Sequence, residues 1–225
     1  MIKKINLLLF ALTLLFGSMT TAQAQMASLE MLLGTCVSCH GTNGVSQGPA
    51  IPSLAGLTQN YFIGAMLAYK YTDDEEGLED ALEILYQDEK YEYVEAYPRY
   101  STIMSRIASG YTLEEILTMA SVLVDSEVVP VKQDYDKSKI AMGEELHEEY
   151  CSNCHEDNGL STADDVGLLA GQWMPYLKHT MEDFVSDRRA MPKKMRNKLN
   201  DMLEAHGDES IHNLLQYYAN VGNQP

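Results

Sequence analysis

The sequence is poor in cysteine, phenylalanine and tryptophan, and it has about half as many basic as acidic residues. It contains 4 Cys, 4 Phe and 1 Trp, with 16 Lys and Arg against 33 Asp and Glu, so its formal net charge is −17 at pH 7. All four cysteines lie in two short motifs, which leaves none for a disulfide framework. A chain of this charge is repelled by nucleic acid and by an anionic membrane surface. The acidity favours a basic, or locally basic, protein partner, or it serves solubility alone.

Long apolar runs are absent except at the N-terminus. There Lys3 and Lys4 precede an apolar run over residues 5–16, and the small-residue sequence Ala22-Gln23-Ala24 follows. This order of charge, apolar run and cleavage pattern is typical of a secretory signal peptide. The run is too short to cross a bilayer, and no later segment resembles a membrane helix. We therefore predict a signal peptide over residues 1–24, no membrane span, and an exported mature protein in the periplasm.

The chain contains an internal repeat. Cys36 and Cys151 are 115 residues apart, and so are His40 and His155. The same offset of 115 continues well beyond these motifs, relating Leu54-Ala55-Gly56 to Leu169-Ala170-Gly171, Tyr61 to Tyr176, and Met66 to Met181. Repeats of this kind indicate duplicated structural units. We therefore predict two domains, over residues 25–125 and 138–225, joined by a linker over residues 126–137.

The first unit carries an insertion with no counterpart in the second, over about residues 71–97, rich in Asp, Glu and Tyr. Its apolar residues have helical spacing, which predicts a short amphipathic helix on the surface: Leu78, Ala81, Leu82, Leu85 and Tyr86. A solvated excursion that packs locally is the simpler interpretation. A docking element for a partner is the alternative.

The rest of each unit has helical patterning and few strand signals, so the predicted fold class is all-α. Helices are expected over residues 28–35 and 138–150, before the two cysteine motifs, and over residues 112–124 and 208–220, where the units close. Thr112 followed by Glu115 is a capping-box signature for the first closing helix.

The two motifs, Cys36-Val37-Ser38-Cys39-His40 and Cys151-Ser152-Asn153-Cys154-His155, have the C-x-x-C-H pattern of covalent haem attachment. One helical turn separates the two sulfurs, which form thioethers to the haem, and the histidine that follows is the proximal iron ligand. A redox dithiol, a disulfide or half of a zinc site are the alternatives. A dithiol does not need the histidine twice, and a zinc site does not need a repeat that extends through thirty further residues. We therefore predict two covalently bound haem c groups.

The second axial ligand of each iron is expected to be methionine, the usual choice in an electron carrier of raised potential. Met104 follows the insertion and precedes the closing helix, whereas Met66 and Met119 have the spacing of core residues. In the second unit, Met191 and Met195 are both candidates. Aligning the closing helices through Ile116 and Ile211 places Met195 nearer the equivalent of Met104, so Met195 is preferred.

Other residues near the motifs have weaker signals. The Pro49 carbonyl is a candidate acceptor for the His40 imidazole, and the second unit lacks that proline. Gln172, Trp173 and Tyr176 are candidates for the lining of the second haem crevice. The histidines outside the two motifs have no haem-attachment context and receive no role: His147, His179, His206 and His212.

Over nearly the whole mature chain, the sequence resembles the diheme cytochromes c, and more closely the cytochrome subunit of flavocytochrome c sulfide dehydrogenase. The strings that carry the resemblance are Ser101-Thr102-Ile103-Met104, Arg106-Ile107-Ala108, Gly110-Tyr111, Leu169-Ala170-Gly171-Gln172-Trp173, Pro175-Tyr176-Leu177, Arg188-Arg189-Ala190-Met191 and Lys193-Lys194-Met195. The resemblance implies two tandem cytochrome c-type domains, each wrapped around one haem. It also implies the axial pairs His40 with Met104 and His155 with Met195. The insertion over residues 71–97 departs from the family pattern.

The family's partner is a flavin-containing sulfide dehydrogenase subunit, which oxidises sulfide and passes electrons to the cytochrome. The resemblance therefore implies an electron-transfer subunit whose catalytic chemistry lies on another chain. A freestanding diheme shuttle that serves a terminal oxidase or reductase, or other redox proteins, is the alternative. A haem-based sensor or peroxidase would need an open coordination position at the iron.

Overall fold

The computed structural model describes residues 28–123 and 126–224, so the predicted signal peptide lies outside the described residues. Within the described ranges the chain has nine α-helices and no strand, which confirms the all-α prediction. The helices are α1 (Leu29–His40), α2 (Gln59–Lys70), α3 (Glu75–Leu85), α4 (Met104–Ser109), α5 (Leu113–Leu123), α6 (Ile140–Leu146), α7 (Met174–Val185), α8 (Lys193–His206) and α9 (Glu209–Gly222). Among these residues no helix is both long and apolar enough to cross a membrane.

Helix α1 contains the whole first cysteine motif, whereas the sequence pattern predicted a helix ending five residues earlier, at Thr35. The Ser28 side chain accepts a hydrogen bond from the Met31 backbone N–H and caps the N-terminus. The helix ends at Gly41, whose φ of 84° is readily adopted only by glycine. The motif is helical because one turn brings both cysteines to the same side of the helix.

The helix before the second motif is less regular. A 3₁₀ turn over Lys137–Lys139 leads into α6, and α6 continues as a π-helical turn over His147–Cys151. In that turn the Ser152 backbone N–H donates to the His147 carbonyl over 2.8 Å. Such π turns are rare in proteins, and those that occur are often found at functional sites.

Two apolar clusters form the interior, one in each half of the chain. In the first half, Ile63 and Leu67 of α2 pack with Ile116 and Met119 of α5, and all four are almost fully buried. In the second half, the corresponding cluster is built mainly from α7, α8 and α9. Leu168 belongs by sequence to the second half but packs in the first cluster, so the two halves share apolar contacts.

The insertion forms the predicted helix, α3, but its apolar face is not displayed on the surface. Leu78, Ala81 and Leu85 are buried in the first cluster, and Val94 beyond them is fully buried. The prediction of an amphipathic helix at the surface is therefore confirmed, and its apolar face packs locally against α2, in agreement with the simpler interpretation of the insertion. The acidic side chains of α3 face outward.

The capping box of the first closing helix is confirmed. The Glu115 backbone N–H donates to Thr112 Oγ1 over 3.2 Å, and the Thr112 N–H donates to Glu115 Oε2 over 2.8 Å. This reciprocal pair satisfies two N–H groups at the start of α5. The second closing helix, α9, extends two residues beyond the predicted end at Asn220.

The hydrogen-bonded loops that follow the two motifs repeat with the offset of 115 residues. The N–H groups of Leu54 and Ala55 donate to the Gly44 carbonyl, and those of Leu169 and Ala170 donate to the Gly159 carbonyl. Between the halves, residues 126–136 form an extended segment, in which the Val131 N–H donates to the Gly171 carbonyl. This segment packs along the second half.

Candidate functional site

The first cysteine motif opens into a cavity of about 560 Å³. Cys36, Cys39 and His40 line it from α1, and Met104 lines it from the start of α4. The Ser101 hydroxyl caps this short helix by accepting from the Met104 N–H over 3.2 Å. The cavity thus brings together all four residues that the sequence predicts for the first haem. Met66 also lines it, although it is 4% exposed and packs with the core.

A backbone carbonyl fixes the imidazole of His40. His40 Nδ1 lies 2.8 Å from the Pro52 carbonyl oxygen, so the ring donates through Nδ1 and leaves Nε2 free for a metal. The prediction of Pro49 as the acceptor was wrong by three residues, because the loop turns at Gly48 and presents Pro52 to the ring. Burial lowers the pKa of His40, and the bond to Pro52 offsets part of that shift.

The second motif opens into a cavity of about 400 Å³. Cys151, Cys154 and His155 line it, together with Met195 from the first turn of α8. Met191, the alternative ligand, does not line this cavity; its side chain is 7% exposed and belongs to the second apolar cluster. Of the two candidates, Met195 is therefore the one in a position to face a cofactor.

His155 is neutral and poorly hydrogen-bonded in this structure. Its Nδ1 is buried and has no partner of good hydrogen-bond geometry. Burial, and then the neighbouring His147, lowers the pKa of His155 to about 4, while the Gly167 backbone opposes the shift. Gly167 follows His155 by the same twelve residues that separate Pro52 from His40. A neutral imidazole is the form that binds a metal.

None of the four cysteines forms a disulfide; two of them are exposed and two are partly buried. Burial raises the pKa of Cys36, and it raises the pKa of Cys151 to about 11. A reactive redox dithiol requires the opposite shift, toward the thiolate. The environment of these cysteines therefore disfavours the dithiol interpretation.

A cluster of aromatic and cationic side chains lies where the two halves meet. Arg99 and Arg189 form an isolated antiparallel backbone pair, and each guanidinium stacks on an aromatic ring: Arg99 Cζ is 4.1 Å from the Tyr69 ring centre and Arg189 Cζ is 4.5 Å from that of Phe184. Burial alone would raise the pKa of the adjacent Tyr61, but the two guanidinium charges outweigh it and lower that pKa.

This cluster provides a test of whether the first cavity suits haem. Arg99 and Arg189 both line the first cavity, and the Nε atom of each is buried without a hydrogen-bond partner. Burying a cationic donor without a partner costs free energy, unless a bound anion accepts its hydrogen bond. Haem has two carboxylates on one edge and is otherwise apolar, so a largely apolar cavity with two such arginines fits it.

The two cavities share a wall. Thr180 of α7 lines both of them, and His179 and Asp183 of the same helix line the first although they belong to the second half of the chain. Cofactors in the two cavities would therefore lie close to each other.

The residues predicted for the second crevice lie instead at the boundary with the first. Gln172 and Tyr176 line the first cavity and not the second. Trp173 Nε1 donates to the Ser46 carbonyl over 3.1 Å. The prediction was wrong because the loop after Leu169-Ala170-Gly171 packs against the first half rather than over its own motif.

Sequence reasoning gave no role to His147, Arg99 and Arg189, which lie beside the cavities; the first two are buried and Arg189 is half-buried. For His147 a signal existed, because the offset of 115 aligns it with the apolar Leu32. A polar residue at an apolar position of a repeat indicates a local requirement. The arginines have no such signal. They are 90 residues apart, which matches neither the offset of 115 between the motifs nor the offset of 95 between Ile116 and Ile211.

No family model matches the sequence. A stretch of 44 residues is 41% identical to cytochrome c-554(548) of Halomonas halodenitrificans, covering 20% of this chain and 53% of that protein. The match thus spans about half the length of that relative. The two C-x-x-C-H motifs of this chain have the haem-attachment pattern that c-type cytochromes share.

Solved structures identify the particular architecture. Reduced cytochrome c4 from Pseudomonas stutzeri superposes with a TM-score of 0.64 at 18% identity, over 85% of this chain and 95% of that chain. Cytochrome c4 from Acidithiobacillus ferrooxidans gives 0.58 at 17% identity, over 85% and 99%. A thiosulfate dehydrogenase from Marichromatium purpuratum gives 0.57 at 20% identity, over 82% of this chain but 36% of that chain. The fold is the one that cytochrome c4 has along almost its whole length.

Proposed function

We propose that this chain is a two-haem electron-transfer protein, with one haem covalently attached at Cys36 and Cys39 and the other at Cys151 and Cys154. The observation that carries the proposal is the arrangement of the two cavities, which each hold a C-x-x-C-H motif and a methionine and share the wall formed by Thr180. Haem iron supplies one-electron redox chemistry when bound. Two such sites side by side suit a relay of single electrons.

In this proposal His40 and Met104 would hold the iron of the first haem, and His155 and Met195 would hold that of the second. The Pro52 carbonyl orients the His40 ring through Nδ1, so that Nε2 is presented to the iron. Both cavities have largely apolar linings, which favour a raised potential. An iron held by both the histidine and the methionine would have no open position for a sensor ligand or a peroxide.

Haem content and coordination test this proposal. The purified protein should contain two haems per chain, and its oxidised spectrum should show methionine coordination at both irons. A variant with Cys151 and Cys154 both changed to Ala should contain one haem, and the matched variant at Cys36 and Cys39 should contain the other. A high-spin or five-coordinate iron in the wild type would contradict the electron-relay function.

We further propose that the electron donor is a flavin-containing sulfide dehydrogenase subunit. The support is the sequence resemblance, which includes the residues around Met104 and Met195 and the sequence strings on either side of Met174. The test is co-purification of a flavoprotein with the cytochrome from its native cells, followed by reduction of the haems by sulfide. Reduction by sulfide at the same rate without any flavoprotein would contradict it.

A freestanding electron carrier is the second candidate function. The observation that favours it is the match to cytochrome c4, which extends over 95% of the Pseudomonas stutzeri chain, so that the fold in that protein needs no further domain. A carrier should be monomeric and should exchange electrons with an oxidase at rates that fall with ionic strength. A stable complex with a flavoprotein would decide against it.

For either donor, we propose a periplasmic location. The support is the charge and apolar pattern of residues 1–24 and the need of covalent haem attachment for an exported chain. N-terminal sequencing of the mature protein tests it, and the expected first residue is Gln25.

A further inference from the structure

A buried histidine and tyrosine form a hydrogen-bonded pair next to the second attachment site. His147 is 1% exposed and opens the π-helical turn that ends at Cys151. Its Nδ1 atom lies 3.1 Å from the hydroxyl oxygen of Tyr218, which α9 contributes. The two rings meet edge to face with centres 5.6 Å apart. Tyr218 lines the second cavity, so this residue links His147 to that cavity.

Among the residues that the structure describes in the first half, no such pair occupies the equivalent place. The offset of 115 residues aligns His147 with Leu32, which is 3% exposed and belongs to the first apolar cluster. A leucine therefore satisfies the packing at this position of the fold. Burying an imidazole and a phenol costs free energy that a hydrogen bond only partly returns. The polar pair thus has no explanation in packing alone.

Both members of the pair are neutral near pH 7. Burial lowers the pKa of His147, although the nearby Glu148 opposes this shift. Burial, and then the adjacent Cys151 sulfur, raises the pKa of Tyr218 well above its ordinary value. The pair therefore acts through its dipoles rather than through a charge.

The direction of these dipoles depends on where the Tyr218 proton goes. Two acceptors are within its reach, His147 Nδ1 and the Cys151 sulfur. A thioether sulfur is a weak acceptor, whereas the unprotonated nitrogen of a neutral imidazole is a strong one. With Cys151 in a thioether, the hydroxyl donates to His147, which then carries its own proton on Nε2. The oxygen lone pairs of Tyr218 are then directed away from His147, on the side of the Cys151 sulfur, and Cys151 lines the second cavity.

We propose that the His147–Tyr218 pair is a redox-tuning element that lowers the potential of the second site relative to the first. Iron gains one positive charge on oxidation, and the negative end of a fixed dipole in a low-dielectric cavity stabilises that charge. Leu32 offers no dipole at the equivalent place. The inference rests on the haem attachment proposed above and is independent of the electron donor.

Redox titration of the two-haem protein, followed by absorbance, tests the inference. His147→Leu and Tyr218→Phe should each raise the potential of one of the two one-electron steps and leave the other unchanged. The expected shift is on the order of tenfold in the electron equilibrium between the two sites, which is 59 mV for a one-electron couple. His147→Asn keeps an acceptor near the position of Nδ1 and should retain most of the wild-type potential.

Tyr217→Phe is the matched control. Tyr217 is also buried, its ring packs against that of His147, and its hydroxyl donates to Asn158 Oδ1 over 2.9 Å, yet it does not line the cavity. Its removal should leave both potentials unchanged. Equal shifts in the Tyr217 and Tyr218 variants, or unchanged potentials in Tyr218→Phe, would overturn the inference. Tyr218→Phe removes one oxygen atom, so it decides the matter if His147→Leu fails to fold.

Haem content is measured first on the same samples. Fewer than two haems per chain in the wild type would contradict the proposed function itself. Unchanged potentials in variants that hold both haems would contradict only the tuning role.

Discussion

Gln172 connects the two halves of the chain because its side chain binds both the backbone N–H and the backbone carbonyl of Ser53. Its Oε1 accepts from the Ser53 N–H, and its Nε2 donates to the Ser53 carbonyl, each over 2.8 Å. Gln172 is 3% exposed and Ser53 is 1% exposed, so water cannot replace either bond. Ser53 follows Pro52, whose carbonyl accepts from His40. The second half therefore fixes the loop that orients the proximal histidine of the first site.

Changing Gln172 to Leu should destabilise the protein strongly. The repeat carries Leu57 at the equivalent position, so a leucine has a suitable size for this fold. The change leaves the N–H and the carbonyl of Ser53 buried without partners, and each such group costs about 1–3 kcal/mol. The expected loss in the free energy of unfolding is therefore about 2–6 kcal/mol.

Equilibrium urea unfolding of the two-haem protein, followed by far-ultraviolet circular dichroism, measures this loss. Gln47→Leu is the control, because Gln47 is exposed and makes only a local bond of 3.4 Å to the Val45 carbonyl. The control should change stability by less than about 0.5 kcal/mol. A loss in Gln172→Leu no larger than that of the control would refute the reasoning, because it would mean that water or a local shift satisfies Ser53.

Three further predictions follow from other residues. Met195→Leu should abolish the methionine–iron absorption of one oxidised haem. Met191→Leu should keep that absorption and lower the free energy of unfolding by up to about 1.5 kcal/mol, because the new side chain must pack within the second apolar cluster. The reverse result would exchange the roles of the two methionines. Burial lowers the pKa of His147 from 6.5, so the unfolded chain binds this proton more tightly and stability falls as the pH decreases below about 6.5. Thermal unfolding between pH 7 and pH 5 should show a smaller fall in His147→Asn, and an equal fall would contradict this. Gly64→Ala would bring a Cβ to 2.0 Å from the Glu95 carbonyl oxygen; a loss of about 1–3 kcal/mol in urea unfolding is expected, and a gain would show that the insertion shifts freely.

Patterns that depend on short-range chemistry were predictable from the sequence. The helical spacing of Leu78, Ala81 and Leu85 predicted α3, and Thr112 with Glu115 predicted the cap of α5. Both involve residues within a few positions of one another, so local geometry decides them. The direction in which the apolar face of α3 points was not predictable, because it depends on α2, which lies elsewhere in the chain.

The candidate sites divide in the same way. The motifs predicted which cysteines and histidines line the two cavities, since the spacing of these residues is that of one helical turn. The choice between Met191 and Met195 rested on an uncertain register, and only the structure places one in the core and the other at the cavity. Pro52 rather than Pro49 meets His40 because of how the intervening loop turns.

The sequence by itself determined that this protein has two equivalent units, each with a covalent attachment motif and a helical scaffold, because identical spacings impose identical local chemistry. The tertiary structure alone decided how the units differ and meet. It placed Arg99 beside Arg189, bonded Gln172 to Ser53, and paired His147 with Tyr218. These contacts join residues that are remote in sequence, and their energies depend on burial, which no local pattern contains.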